Sequence, residues 1–202
     1  LARDLFYDEL YNSNNVKFMA SSAELWGGKG LRDADSWSLS FNDAGYNSNS
    51  VTFEESSYDF DPIEWENQHF ISYSDHGSVF WSGISTRDIP KLSNSIIISD
   101  SCSTCSIPDN SKGNVFCSNA IRKGALSYVG AVSVAGSITV TSGGYNNYDQ
   151  NILFKDTINN IYYDGLTVGQ AFSKAYTTYN MFTLIGDPTL DINPNRLVGP
   201  LE

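Results

Sequence analysis

Short apolar, β-branched or aromatic runs recur along the chain between polar clusters, the pattern of buried strands, and longer stretches with apolar residues three or four apart lie between them. Val16–Ser21, the runs H-F-I-S-Y-S from His69 and I-I-I-S-D from Ile96, Leu126–Ala131 and Phe182–Ile185 are of the first kind. Leu1–Tyr11, Asn114–Gly124, Gln150–Tyr163 and Thr167–Tyr179 are of the second, and they predict helices. Gly124 and Gly165 stand where helices close, and Thr167 stands where one is capped. Trp37–Phe41 and Val51–Glu55 read as two further strands. The Gly-rich stretch from Trp26 to Asp35 reads as a loop, and Thr86–Lys91 as a connector able to hold a short helix. Val134–Thr141 reads as extended chain, and Ser142–Asp149 as a loop beside the cleft. Strands alternating with helices, and no internal repeat, predict an α/β sandwich with a mainly parallel sheet.

Two of these strands end in reactive side chains. One runs out into Asp75-His76-Gly77-Ser78 and the other into Asp100-Ser101-Cys102. As parallel neighbours they would present an imidazole and a thiol at one carboxyl edge, where open α/β sheets place their sites. A thiol becomes a good nucleophile when deprotonated, and an imidazole can lower its pKa or protonate a leaving amine. The N–H groups of Gly77 and Cys102 could form an oxyanion hole, since a residue without a side chain lets a carbonyl approach closely. The pattern proposes acyl transfer by a cysteine.

Competing readings attach to the same residues. His76 could be an ordinary hydrogen-bonded histidine, and Cys102 an inert thiol. Cys102-Ser-Thr-Cys105 has the C-x-x-C spacing of thiol redox centres and of half a zinc site, although no helix with an apolar period begins there, and Cys117 with one of two histidines is a thin supply of further ligands. The acidic run Asp59, Asp61, Glu64 and Glu66 around Pro62 reads as a solvated turn; calcium binding is the alternative, without EF-hand spacing.

Composition bounds these readings. A chain of 202 residues, 41% hydrophobic, can bury one substantial core, so one domain is expected. A net charge of −11 argues against nucleic acid, whose phosphates need Lys and Arg. No run of about 18 apolar residues is present to span a membrane, and no signal peptide is visible. Three cysteines form no disulfide framework, and one must stay unpaired in a monomer. Abundant Asn, Ser, Gly and Tyr with few Lys point to an extracellular or cell-surface protein.

Taken in order, several blocks resemble the gingipain-like cysteine peptidases, relatives of the caspases. They are Ser22-Ala23-Glu24, His76-Gly77-Ser78 after an apolar strand, I-I-I-S-D-S-C ending at Cys102, A-L-S-Y-V-G-A from Ala125, T-V-G-Q-A-F from Thr167 and F-T-L-I-G-D-P-T-L from Phe182. The resemblance implies a caspase-hemoglobinase-like three-layer sandwich, with residues 1–192 forming a catalytic subdomain. Residues 193–202 then read as an exit linker, its last two residues as an expression remnant. It implies a cysteine endopeptidase cutting after Arg or Lys, with Cys102 as nucleophile, His76 as acid/base and Glu24 orienting the imidazole. Asp35, with Asp33 as its rival, would lie at the base of the P1 pocket, and Ile138 would form an apolar wall. The implied partner is a protein or peptide substrate, with a further subdomain upstream or a partner chain, and the chemistry needs no cofactor. Asp75 departs from the glycine common before His-Gly in that family, and Ser-Thr from the Asn-Gly common after the cysteine. A non-catalytic binding or structural module on the same fold, or a C-x-x-C redox protein, are the alternatives in function.

Overall fold

The computed structural model describes residues 13–21, 29–53, 62–77, 81, 84–107, 115–133, 150–175, 181–192 and 196–202. Six strands form one sheet: β1 (Asn15–Ser21), β2 (Asn47–Phe53), β3 (Gln68–Ser74), β4 (Ile96–Asp100), β5 (Ser127–Ala131) and β6 (Phe182–Gly186). Their order is β2-β1-β3-β4-β5-β6, parallel except for the pair β5–β6. Strands buried on both faces cannot alternate apolar with polar residues, which is why β4 reads I-I-I rather than every other position.

Among the described residues four helices cover the sheet: α1 (Lys29–Asp43), α2 (Phe116–Arg122), α3 (Gln150–Tyr162) and α4 (Val168–Ala175). One apolar cluster joins Phe18, Phe70, Ile96 and Ile98 to Trp37 and Phe41 of α1, Ile158 and Tyr162 of α3, and Ala171 of α4. A second, on the opposite face, joins Met19, Ile71, Tyr73 and Ile97 to Trp65, Trp81 and Phe116 of α2. The result is the expected three-layer sandwich. At the start of α4 the Gln170 amide donates to Thr167 Oγ1 and the Thr167 amide to Gln170 Oε1, a reciprocal cap.

Three expectations are corrected. Trp37–Phe41 is helical, within α1, because Ala34, Trp37 and Phe41 stand three and four apart and form its buried stripe. The stretch read as a loop is already helical from Lys29. Residues 196–202 are packed rather than linking. Leu197 and Leu201 are buried, Leu197 N donates to Tyr162 O, Leu201 N to Asn159 Oδ1, and Trp37 Nε1 to Glu202 O. Thr86–Lys91 holds a turn with no helix, and the predicted helix Leu1–Tyr11 lies outside the described residues. Glu64, from the acidic run, pairs at 2.9 Å with the buried ammonium of Lys17.

Candidate active site

The last paired positions of β3 and β4 are Ser74 and Asp100. His76 and Cys102 each lie two residues beyond, so the register alone brings the imidazole-bearing and thiol-bearing residues to the same point of the carboxyl edge. Asp75 N bonds Asp100 O at 3.3 Å and continues the ladder. A Cβ built on Gly77 would stand 2.8 Å from Ser101 Cβ, closer than real side-chain carbons come, and 3.0 Å from the Cys102 carbonyl oxygen, tighter than most. The glycine backbone is therefore pressed against the turn that carries Cys102. Both His76 and Cys102 are partly exposed.

That turn is held from its far side. Ser103 N donates to Ser133 O at 2.9 Å and Cys105 N to Ala131 O at 2.8 Å, tying it to the end of β5. Ser103 has φ 55, a left-handed conformation that is uncommon for a side-chain-bearing residue and turns the chain sharply just after Cys102.

Beneath His76 and Gly77 lies an aromatic and hydroxyl support that the sequence reading missed. Tyr73 Oη donates to His76 O at 2.9 Å, and its ring stacks on Trp81 with centroids 4.1 Å apart. Trp81 Nε1 donates to Ser99 Oγ and to Tyr128 Oη, and Ser99 and Ser101 share a hydrogen bond of 2.7 Å. Trp81 also bridges back to Gly77 in the backbone. The signal was present as Ser99 and Ser101, small hydroxyls at alternate positions of a strand that is otherwise isoleucine on that side.

The other histidine has a different place. His69 is buried between the rings of Tyr46 and Tyr162, and desolvation lowers its pKa to about 4. The only one of the chain's two histidines at the cleft is His76.

The carboxylates separate. Asp35 is exposed on α1 and accepts a hydrogen bond from Ser50 of β2, the edge strand, with β1 between it and β3. It is not brought to His76 and Cys102. Asp33 sits one turn before Trp37 on the helix end that overlies the carboxyl edge, and it lines a recess with Trp37, Ser72 and Ser74. Ser74 in turn donates to Asp100, a residue that sequence spacing alone does not single out. Desolvation pushes the Asp100 carboxyl up to about 7, outweighing the Ser74 bond that pulls it down. Glu24 and Ile138 lie outside the described residues, as does the loop Ser142–Asp149.

The two cysteines of the C-x-x-C lie on opposite faces of the sheet. Cys102 packs against the cluster under α1 and α3, whereas Cys105 is buried in the cluster under α2. That geometry opposes a Cys102–Cys105 redox couple. Among the described residues no group of three His, Cys, Asp or Glu side chains is placed to hold a metal ion, and no helix is long and apolar enough to cross a membrane.

Comparison with known proteins agrees with this architecture. The family model described as Peptidase family C25 matches residues 33–193. No curated protein matches the sequence. Among solved structures, separase of Saccharomyces cerevisiae, in a separase–securin complex, is similar with a TM-score of 0.58 at 14% identity, over 91% of this chain and 13% of that one. The likeness shows a shared caspase-like fold, and this chain spans a small part of that protein's length.

Proposed function

The chain belongs to peptidase family C25, the gingipain family of cysteine peptidases, and from that premise we propose that it cleaves peptide bonds through Cys102 with His76 as acid and base. The observation that carries this reading is the approach of Gly77 to Ser101 and Cys102, which joins the His-Gly and Cys strand ends into one site. The Cys102 thiolate attacks the scissile carbonyl, whose oxygen gathers negative charge facing the N–H groups of Gly77 and Cys102. His76 protonates the departing amine, leaving a thioester, and then takes a proton from the water that hydrolyses it. Tyr73 holds the His76 backbone through this cycle. Glu24 is the orienting carboxylate for the imidazole by the family resemblance.

The substrate is a protein or peptide with Arg or Lys at P1, acting in an extracellular or cell-surface setting. Asp33 and Asp100 support this choice better than Asp35, because both converge on Ser74 beside the cleft whereas Asp35 lies over the edge strand. A desolvated carboxyl gains most from a cation brought against it. Ile138 is the apolar wall of the pocket by the same resemblance, and a further subdomain or partner chain completes the enzyme.

Cys102→Ala is expected to lower peptide cleavage by more than about 10³-fold with an unchanged circular dichroism spectrum. Full activity in that variant would remove Cys102 from the chemistry. A P1-scanning peptide library should show the Arg and Lys preference reduced roughly tenfold or more by Asp33→Asn or Asp100→Asn and left intact by Asp35→Asn. A preference lost only in Asp35→Asn would return the pocket to that residue.

A further inference from the structure

Strands β4 and β5 pair only as far as Ile98 and Val129. Beyond that fork the turn that carries Cys102 folds back into the gap. There Ser103 N and Cys105 N donate to Ser133 O and Ala131 O, so the chain beside β5 is no longer β4 but the nucleophile turn itself. Gly130 stands at the fork, in a strand whose five residues are all buried. A glycine inside a strand weakens it, and is found where another group must come close. Two groups do. A Cβ at position 130 would stand 2.5 Å from Cε1 of Tyr128 and 2.9 Å from Oγ1 of Thr104, closer than real side-chain carbons come. Tyr128 and Thr104 are both 0% exposed, so neither can swing out to solvent. We propose that Gly130 is a positioning residue for the nucleophile: its bare backbone seats Thr104, and with it the turn that carries Cys102, against the Tyr128 ring.

The consequence reaches both halves of the site, because the same ring is bonded to the other half. Tyr128 Oη accepts from Trp81 Nε1 at 3.1 Å, and Trp81 bridges to Gly77 and stacks on Tyr73, which holds the His76 carbonyl. Thr104 lies two residues after Cys102, between the two amides anchored on β5, and its carbonyl accepts from Cys117 N at 3.1 Å, which fixes the turn to α2 as well. A methyl group at 130 would have to push Thr104 or Tyr128 aside, and in a packed interior each could yield only by taking its neighbours along. The spacing between thiol and imidazole would change with no reacting group lost. The recess proposed for P1, with Asp33, Ser72 and Ser74, lies beneath α1 with β4 between it and Gly130, and would keep its shape. The effect on catalysis rests on the peptidase reading, whereas the seating of the turn does not.

Gly130→Ala, Thr104→Ala and the double variant are compared with the wild type by steady-state cleavage of a P1 arginine peptide and by amide hydrogen exchange across residues 101–106. In Gly130→Ala kcat should fall about 10- to 100-fold, the scale of a small misplacement of reacting groups, with KM changed less than about twofold. Exchange at Ser103 and Cys105 should quicken roughly tenfold while β3 keeps its protection. Thr104→Ala opens a gap on the turn side of the same contact. It should lower kcat and loosen the turn in the same way, and it carries the test should Gly130→Ala not fold. In the double variant the new methyl group fills that gap, so kcat should recover several-fold above the Gly130→Ala value. Wild-type kcat in a variant with a loosened turn, unaltered exchange in both single variants, or a double variant no better than Gly130→Ala would overturn the proposal. A wild type that cleaves no peptide would end the peptidase reading, and exchange alone would then decide whether Gly130 seats the turn.

Discussion

Successive residues at the end of β4 enter two different surroundings. Ile96, Ile98 and the partly exposed Cys102 belong to the face under α1 and α3, where Asp33 and Ser74 share a recess and Asp100 holds a raised pKa. Ile97, Ser99 and Cys105 belong to the other face, where Trp81, Tyr73 and Tyr128 enclose the hydroxyls in dry, hydrogen-bonded contact. The first face keeps a partly exposed thiol beside a recess and a desolvated carboxyl. The second keeps groups whose positions are fixed by stacking and hydrogen bonds. A cysteine site needs both, since an activated thiol is useful only when the donors around it do not move. Alternation along a single strand supplies them from adjacent residues.

Three changes would break or sharpen that contrast. The largest effect is expected from Gly77→Ala. Its methyl group would meet Ser101 at 2.8 Å, and the backbone would have to retreat from Cys102. The turnover of a peptide substrate should fall about 10²- to 10³-fold, the scale of losing an oxyanion donor. Near-normal turnover would show that Gly77 is tight for packing alone.

Next is the pH dependence of binding, measured on Cys102→Ala so that no chemistry intervenes. Asp100 is protonated in the free protein below about pH 7, so a P1 cation seated against it, as proposed, would have to displace a proton. Affinity for a P1 arginine peptide should therefore rise by up to about tenfold per unit as pH increases toward 7, then level off. Asp100→Asn should flatten the slope, and a norleucine peptide should show none. An arginine slope that survives in Asp100→Asn would assign the titration elsewhere.

The smallest change belongs to the support. Trp81→Phe keeps the stacking on Tyr73 but deletes the donor to Ser99 and Tyr128. Loss of that buried bond should cost about 1–3 kcal/mol in urea unfolding. A loss of activity far beyond that of stability would place Trp81 in the alignment of the site as well as in the fold.

The parallel strands and the adjacency of the two strand ends that carry His76-Gly77 and Cys102 were legible in the sequence because buried strands leave continuous apolar runs and these residues follow them directly. The helix over them was less so. W-S-L-S-F from Trp37 alternates perfectly as a strand, and only Ala34, three residues earlier, reveals the helical stripe. The difference bears on the chemistry, for on a loop Asp33 and Asp35 are interchangeable, whereas on α1 they point to different strands. The role of Asp100 was hidden for another reason. Its raised pKa comes from its neighbours in space, and sequence spacing does not show those. The tail from Arg196 reads as a linker by its Gly and Pro, yet Leu197 and Leu201 are spaced to reach the core.

The contact between Gly77 and Ser101 has a bearing on how such sequences can diverge. A side chain at 77 cannot be accepted while residue 101 keeps its Cβ and hydroxyl, and Ser101 is itself bonded to Ser99. The two positions are therefore coupled in mutational space. A first step at 77 is penalised, and Ser101→Gly would relieve it only by breaking the bond to Ser99. Drift at this pair must pass through a poorer intermediate, so the His-Gly end and the Cys turn would tend to change together or remain as they are.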